Sequence, residues 1–383
     1  MKIPFNKEYY TGKEKEYLND VIEKRKHTMG DGYYTKQVSR LLEEKFSVNK
    51  VFMTTSGTHA LEMSVKLINI NPGDEIIIPS YTFPSTANAV LKNKAVPIFA
   101  DIKPDNLNID PKDIRKKITK RTKAIIPIHY AGIAADMEEI KRIAKEYNLY
   151  IIEDAAQAVN SKYRDQYLGT IGNLGCFSFH STKNYISGEG GALLINEEDE
   201  SLIKKAAVFR EKGTNRLSFL KGEVDKYSWV EEGSSYLPSD LLMAFLYAQL
   251  EKMDEIKFKR KKIFEKYKEG LNNIISYRCI DKICRVPEDR QSNYNSFYII
   301  FNENNVRDKA IELLKKVGIT ATFHYIPLHI SEMGKKMGYK KGDLPVTERI
   351  AENIVRLPFY TQMTESKINY VIKNVKNIIK ELN

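Results

Sequence analysis

The chain has 383 residues and a formal net charge of +11, from 61 basic and 50 acidic side chains. Hydrophobic residues make up 42% and aromatics 10%, which excludes a disordered chain; the length suggests two domains. Three cysteines (Cys176, Cys279, Cys284) are too few for a disulfide scaffold and fit no paired zinc spacing.

Residues Met1 to Glu8 lack the apolar run of a secretion signal, and no run of about 18 apolar residues occurs. A cytoplasmic protein with no membrane partner is the expectation. The basic balance favours anionic partners, but lysines and glutamates are interleaved, as in Lys13-Glu14-Lys15-Glu16. The densest basic run, residues 257–262, continues a helical pattern with apolar positions at Leu250, Met253, Ile256 and Ile263. That pattern reads as the solvated face of a helix, and no nucleic-acid partner is expected.

β-Branched and apolar runs predict strands at residues 51–55, 75–79, 96–101, 124–129, 150–154, 175–179 and 192–196. Amphipathic stretches lie between them: Leu61, Val65 and Ile68 share one helical face, as do Met137, Ile140, Ile143 and Ala144. Strands alternating with helices predict an α/β domain with a mostly parallel seven-stranded sheet flanked by helices. The strands are uniformly apolar, as in a sheet covered on both faces. A long helix over 239–267 follows. Then come a strand at 296–301, a helix at 306–317, a strand at 320–325 and a helix at 365–382. This predicts a large domain over 1–245 and a smaller α+β domain over 246–383.

Ligands of open α/β sheets bind at the carboxyl ends of strands. Three segments there carry chemistry. In Thr54-Thr55-Ser56-Gly57-Thr58-His59, a strand runs through small hydroxyl residues into a helix, which makes either an anion site or an ordinary N-cap. In Ile151-Ile152-Glu153-Asp154, two carboxylates end an apolar strand. The strand period sends one into the ligand crevice, where it suits a metal, a ribose or a protonated ring nitrogen. In Phe177-Ser178-Phe179-His180-Ser181-Thr182-Lys183-Asn184, a strand ends in a polar turn with a single lysine before Gly188-Glu189-Gly190-Gly191. Together these form the ordered parts of a pyridoxal 5'-phosphate (PLP) site. The phosphate needs the helix start, the ring nitrogen a carboxylate, and the aldehyde a lysine.

With Ser56-Gly57-Thr58, Pro79-Ser80-Tyr81-Thr82-Phe83 and Glu153-Asp154-Ala155-Ala156-Gln157 in this order, the chain resembles the DegT/StrS-type sugar-nucleotide aminotransferases. These are fold-type-I PLP enzymes, and the likeness covers essentially the whole length. The resemblance implies that Lys183 forms the Schiff base and shuttles the proton, and that Asp154 pairs with the ring nitrogen. It places Gln157 near the ring hydroxyl, Phe83 on the ring face, and Gly57, Thr58 and Ser178 on the phosphate. It also implies a homodimer with shared active sites. In the family segment that reaches across, Ser235 of Gly233-Ser234-Ser235-Tyr236-Leu237-Pro238-Ser239-Asp240 stands where many members have asparagine. Relatives with histidine at the lysine position dehydrate their substrate; Lys183 points to transamination.

Further segments resemble the subgroup whose product is dTDP-4-amino-4,6-dideoxygalactose. They include Gly30-Asp31-Gly32, residues 210–216, 224–227 and 233–237, and Phe323-His324-Tyr325-Ile326-Pro327-Leu328-His329. The resemblance implies L-glutamate as donor and a nucleotide-linked keto sugar as acceptor. Arg210, Lys212, Arg216 and Lys226 are candidate contacts to its pyrophosphate. His324, Tyr325 and His329 are candidates on a substrate lid. No metal is expected. The alternative within enzymes is the same chemistry on another nucleotide keto sugar, with amination at C3 or with the opposite stereochemistry at C4, and a PLP-binding regulatory protein without turnover is the reading from another class.

Overall fold

The computed structural model describes all of residues 1–383. Seven strands form the main sheet: β1 (Lys50–Thr54), β2 (Glu75–Pro79), β3 (Val96–Ala100), β4 (Thr122–Ile125), β5 (Tyr150–Asp154), β6 (Leu174–Ser178) and β7 (Gly191–Ile195). Their order is β1-β7-β6-β5-β4-β2-β3. Only β7 runs antiparallel to its neighbours β1 and β6. The carboxyl ends of β1, β2, β5 and β6 therefore meet at one edge. The mostly parallel seven-stranded α/β sheet expected from the sequence is observed.

Both faces of the sheet are covered, and strand alternation divides the side chains between two cores. In β2, Ile76 and Ile78 pack into one core and Ile77 into the other. The first core holds the helices Gly57–Leu67, Pro84–Lys92 and Glu200–Arg210, through Leu61, Val90 and Phe209. The second holds Tyr33–Phe46, Met137–Tyr147 and Asp240–Leu250, through Leu42, Ile140 and Leu246.

The long helix expected over 239–267 is two helices, Asp240–Leu250 and Met253–Leu271. Lys252 leaves helical dihedrals at φ −108°, ψ 18°. No proline or glycine marks the break, and apolar periodicity continues through it. The second helix spans two cores. Met253 and Ile256 pack with the large sheet, whereas Ile263, Phe264 and Tyr267 pack with a three-stranded antiparallel sheet. That sheet consists of β8 (Ile280–Ile283), β9 (Tyr298–Phe301) and β10 (Ile354–Arg356), with β9 central. Ile3, from the other end of the chain, is buried in the core of this three-stranded sheet, the third of the molecule.

The strand expected at 320–325 is absent from the ladder. Thr322 makes a single bridge to Arg356, after which the chain peels off toward the large domain. Its β-branched start has strand character, but the sheet edge ends where His324 and Tyr325 turn inward. No helix is long and apolar enough to cross a membrane.

One carboxylate joins distant parts of the large domain. Asp240, fully buried, accepts hydrogen bonds from the Tyr34 and Thr35 N–H groups (3.2 and 2.7 Å) and from the Thr35 hydroxyl (2.7 Å). It thereby caps the helix Tyr33–Phe46 from outside. A Cβ at Gly32 would stand 2.4 Å from this carboxylate, so glycine is required there. Asp240→Ala leaves those donors unpaired and should lower stability by about 1–3 kcal/mol. Urea unfolding should show a lower midpoint with an unchanged slope, and Gly32→Ala should shift it the same way.

Candidate active site

A cavity of about 390 Å³ lies where the sheet edge meets the small domain. The start of Gly57–Leu67 enters it first. Ser56 accepts from the His59 N–H through its hydroxyl (3.1 Å), which fixes the first turn. The first N–H groups of a helix lack intrahelical partners, and the positive dipole end favours an anion. A Cβ on Gly57 would lie 2.9 Å from the Ser178 Cβ, so glycine lets the helix start press against the end of β6. The Thr58 hydroxyl shares a hydrogen bond with Ser85 (2.7 Å), and Ser178 and Thr182 add hydroxyls to the same lining.

The two carboxylates of β5 part company, as the strand period predicts. Glu153 is wholly buried and turned away. It accepts from the Gly169, Ile171 and Gly172 N–H groups (2.9, 2.6 and 2.7 Å) and bonds His129 Nε2 (2.8 Å). The Ala135 N–H donates to His129 Nδ1 (3.1 Å), which puts the ring proton on Nε2. Glu153 is therefore a structural anion that pins the loop between β5 and β6.

Asp154 faces the cavity. It accepts from the Thr86 hydroxyl (2.8 Å) and the Ala156 N–H (3.2 Å). Burial pushes its carboxyl above the usual range, and those hydrogen bonds, with the charge of Lys183, partly offset the shift. Lys183 lines the same cavity, and its amine makes neither hydrogen bond nor ion pair. Burial drops its pKa from 10.5 to about 8; Asp154 opposes the shift and Arg356 reinforces it.

Gln157 is held at both ends of its amide. Its Oε1 accepts from the Ala131 N–H (2.9 Å) and its Nε2 donates to the Tyr325 hydroxyl (2.8 Å). Phe83 stands at the mouth with 59% of its surface exposed, free to cover a flat ligand. The His324 backbone carbonyl accepts from the Tyr81 hydroxyl, and its ring Nδ1 lies 3.3 Å from the Tyr130 hydroxyl. Burial, with the nearby charges of Arg356 and Lys183, holds that ring neutral.

The structure therefore brings together Gly57, Thr58, Phe83, Asp154, Gln157, Ser178, Lys183, His324 and Tyr325. It does not bring His329 with them. That ring is fully buried, bonded to Ser80 Oγ (2.7 Å) and Glu348 Oε1 (2.9 Å), and so belongs to the scaffold. Arg210 is also committed within the chain. It is buried, forms a two-pronged pair with Asp31 (2.7 Å to each oxygen) and packs over Phe52. Arg216 pairs with Glu211 at 3.1 Å. Lys212, Lys226 and Ser235 are exposed on the same surface region, outside the cavity of their own chain.

Sequence reasoning missed Thr86, His180, Glu189, Asn295 and Arg356, all at or beside the cavity. Arg356 had a readable signal: a lone cation in the apolar run Ile354-Val355-Arg356-Leu357. Thr86 had none, because its partner Asp154 is 68 residues away.

The donor set fits PLP. The helix start and hydroxyls suit a phosphate, Asp154 a cationic ring N–H, and the neutral-leaning free amine of Lys183 an aldehyde.

Comparison with known proteins agrees. The model of the DegT/DnrJ/EryC1/StrS aminotransferase family matches residues 9–376. The spore coat polysaccharide biosynthesis protein SpsC of Bacillus subtilis is 31% identical, over 96% of this chain and 95% of SpsC. GDP-perosamine synthase of Escherichia coli O157:H7 is 28% identical over 99% of both chains. The PLP-form structure of Spr1654 from Streptococcus pneumoniae superposes with a TM-score of 0.91 at 25% identity, covering 100% of both chains. The chain is a fold-type-I, PLP-dependent enzyme, and it belongs to the DegT/DnrJ/EryC1/StrS aminotransferase family.

Proposed function

We propose that the protein moves the amino group of L-glutamate to C4 of dTDP-4-dehydro-6-deoxy-D-glucose, giving dTDP-4-amino-4,6-dideoxy-D-galactose and 2-oxoglutarate. The observation that carries the transaminase reading is the free amine of Lys183 sharing a cavity with the buried carboxylate of Asp154. The sugar rests on the subgroup segments, and contacts join those around residues 30–32, 210 and 237. Gly30 packs on Leu237, Asp31 pairs with Arg210, and the Asp240 N–H donates to the Thr28 carbonyl. The likeness to GDP-perosamine synthase favours a second reading, a GDP-linked keto sugar. The likeness to SpsC suits a product bound for a surface polysaccharide.

When bound, PLP supplies an electron sink for the carbanion left as a proton leaves the substrate carbon. Asp154 is the residue that keeps the ring nitrogen protonated. The first N–H groups of the helix at Gly57 and Thr58, with Ser178 and Thr182, hold the phosphate. Phe83 would cover one ring face, and Gln157, which donates to the Tyr325 hydroxyl, would lie near the ring hydroxyl. Lys183 would take the proton from the donor's α-carbon and give it up to the cofactor within the first half-reaction, and would move a proton the opposite way, onto C4 of the sugar, in the second, a role its lowered pKa suits near neutral pH. Phe83 and the neutral His324 narrow the access of water.

A homodimer with shared sites belongs to the same proposal. The exposed loop carries Tyr227, Trp229 (79% exposed) and Val230 beside Ser235, a surface suited to cover by a second copy. There the loop would bring Lys212, Lys226 and Ser235 to the neighbouring cavity.

Adding L-glutamate to the PLP-loaded protein should bleach the absorbance of the lysine-linked cofactor, and the dTDP-linked keto sugar should restore it. Restoration by the GDP-linked sugar alone would replace the first reading by the second. Lys183→Ala should abolish turnover. Asp154→Ala should slow both half-reactions, with cofactor retained in equilibrium binding.

Capture of PLP by the apoprotein requires the neutral amine. Because the pKa of Lys183 is lowered, its neutral fraction rises through about pH 8 rather than 10.5. The rate of absorbance growth on adding PLP should climb with pH and level off above that point. A climb continuing toward pH 10 would contradict the burial assigned to Lys183.

A further inference from the structure

Pro84 opens the helix Pro84–Lys92, and the turn around it carries two threonines four positions apart, Thr82 and Thr86. Thr86 is fully buried and Thr82 nearly so. Their hydroxyl oxygens lie 2.9 Å apart, and the Thr86 hydroxyl lies 2.8 Å from Asp154 Oδ2. The Ala156 N–H donates to the other carboxylate oxygen at 3.2 Å. Each oxygen thus has one donor, which fixes the plane of the carboxylate and leaves a lone pair on each oxygen open. Lys183, His129, Cys176 and Tyr325 are the titratable groups that face Asp154, and none is hydrogen-bonded to its carboxylate.

A hydroxyl has one proton to donate. With Asp154 ionised, Thr86 gives its proton to the carboxylate, so the proton between the two threonines belongs to Thr82. The order runs from Thr82 to Thr86 to Asp154. A proton placed on Oδ2 toward Thr86 would reverse that chain, and its last donor, Thr82, would find only the Phe83 carbonyl at 3.4 Å. A proton elsewhere on the carboxyl would weaken it as the acceptor of Thr86. Both routes penalise the neutral acid. Burial favours that acid, and the acid offers no charge to a protonated ring nitrogen.

We propose that Thr86, ordered by Thr82, is a positioning residue that holds Asp154 ionised and oriented for the protonated ring nitrogen of PLP. This rests on the role given to Asp154 above. It also joins two parts of the site in one turn of backbone. Phe83 lies between the threonines in sequence, and its carbonyl accepts from the Thr86 N–H at 3.2 Å. The turn that presents Phe83 at the mouth therefore also sets the charge at the floor.

The test compares Thr86→Val, which removes the hydroxyl and keeps the branched shape, with Thr86→Ser, which keeps the hydroxyl. In the apoprotein, infrared difference spectra across pH follow the carboxyl stretch of Asp154, assigned by its loss in Asp154→Asn. Burial raises the pKa of Asp154 and the Thr86 hydroxyl lowers it, so removing the hydroxyl should move protonation to higher pH. The shift expected in Thr86→Val is about one pH unit, with Thr86→Ser close to the wild type. In the PLP-loaded protein, rapid-mixing absorbance should show both half-reactions slowed about tenfold in Thr86→Val at saturating substrate, with little change in KM. If Thr86→Val fails to fold, Thr82→Val, which leaves the Thr86 hydroxyl without its donor, should move both readouts the same way by a smaller amount. An unshifted titration, or an equal shift in Thr86→Ser, would overturn the inference. Wild-type rates in Asp154→Asn would instead overturn the role given to Asp154 itself.

Discussion

Asp154 and Lys183 share a cavity withdrawn from water, and that burial pushes each toward its neutral form. Neither group could be maintained this way without the sheet. Asp154 pairs in register with Cys176 of β6, two residues before Ser178, so the carboxylate and the hydroxyl of the next strand end at one edge. The turn after β6 then has only a short distance in which to present Lys183. Glu153 fixes the loop that leads into β6 by holding its Gly169, Ile171 and Gly172 N–H groups on the opposite face. One strand thus supplies both a reactive carboxylate and the anion that fixes the loop beside it.

How legible the fold was follows from which signals are local. The seven strands of the main sheet are short, apolar and bounded by polar turns, and their residues declare them. Asp154, Lys183 and Gly57 were legible because each sits at the end of such a strand. The break at Lys252 was not, because a helix can end without proline or glycine when two cores pull on its ends. Strand β10 was hidden by its three-residue length, and with it the position of Arg356. His329 shows the reverse error. A histidine after a proline turn looks available in sequence, but both ring nitrogens are taken by Ser80 and Glu348, on opposite sides of the inter-domain junction.

The cations read as pyrophosphate contacts divide by the same logic. A basic, glycine-rich stretch does not reveal which of its members have carboxylate partners far away in sequence. Arg210 and Asp31 are separated by 179 positions, yet the pair is two-pronged and its guanidinium is buried. Such a pair is costly to break, since removing either charge strands the other. Arg210 therefore acts as a tie between the 28–32 turn and the 210–240 loop. Only Lys212 and Lys226 of that group remain exposed and free of carboxylate partners.

The distribution of unpaired charge gives the cavity a direction. Its large-domain wall carries a helix start, hydroxyls and a buried carboxylate, and these suit a bound ring and its phosphate. Its small-domain wall carries His324, held neutral, and Arg356, whose Nε is buried without an acceptor. A neutral imidazole beside a phenol offers hydrogen bonds without a charge. Fixing His324 as neutral depends partly on the charge of Arg356, so one residue sets the character of the wall around it.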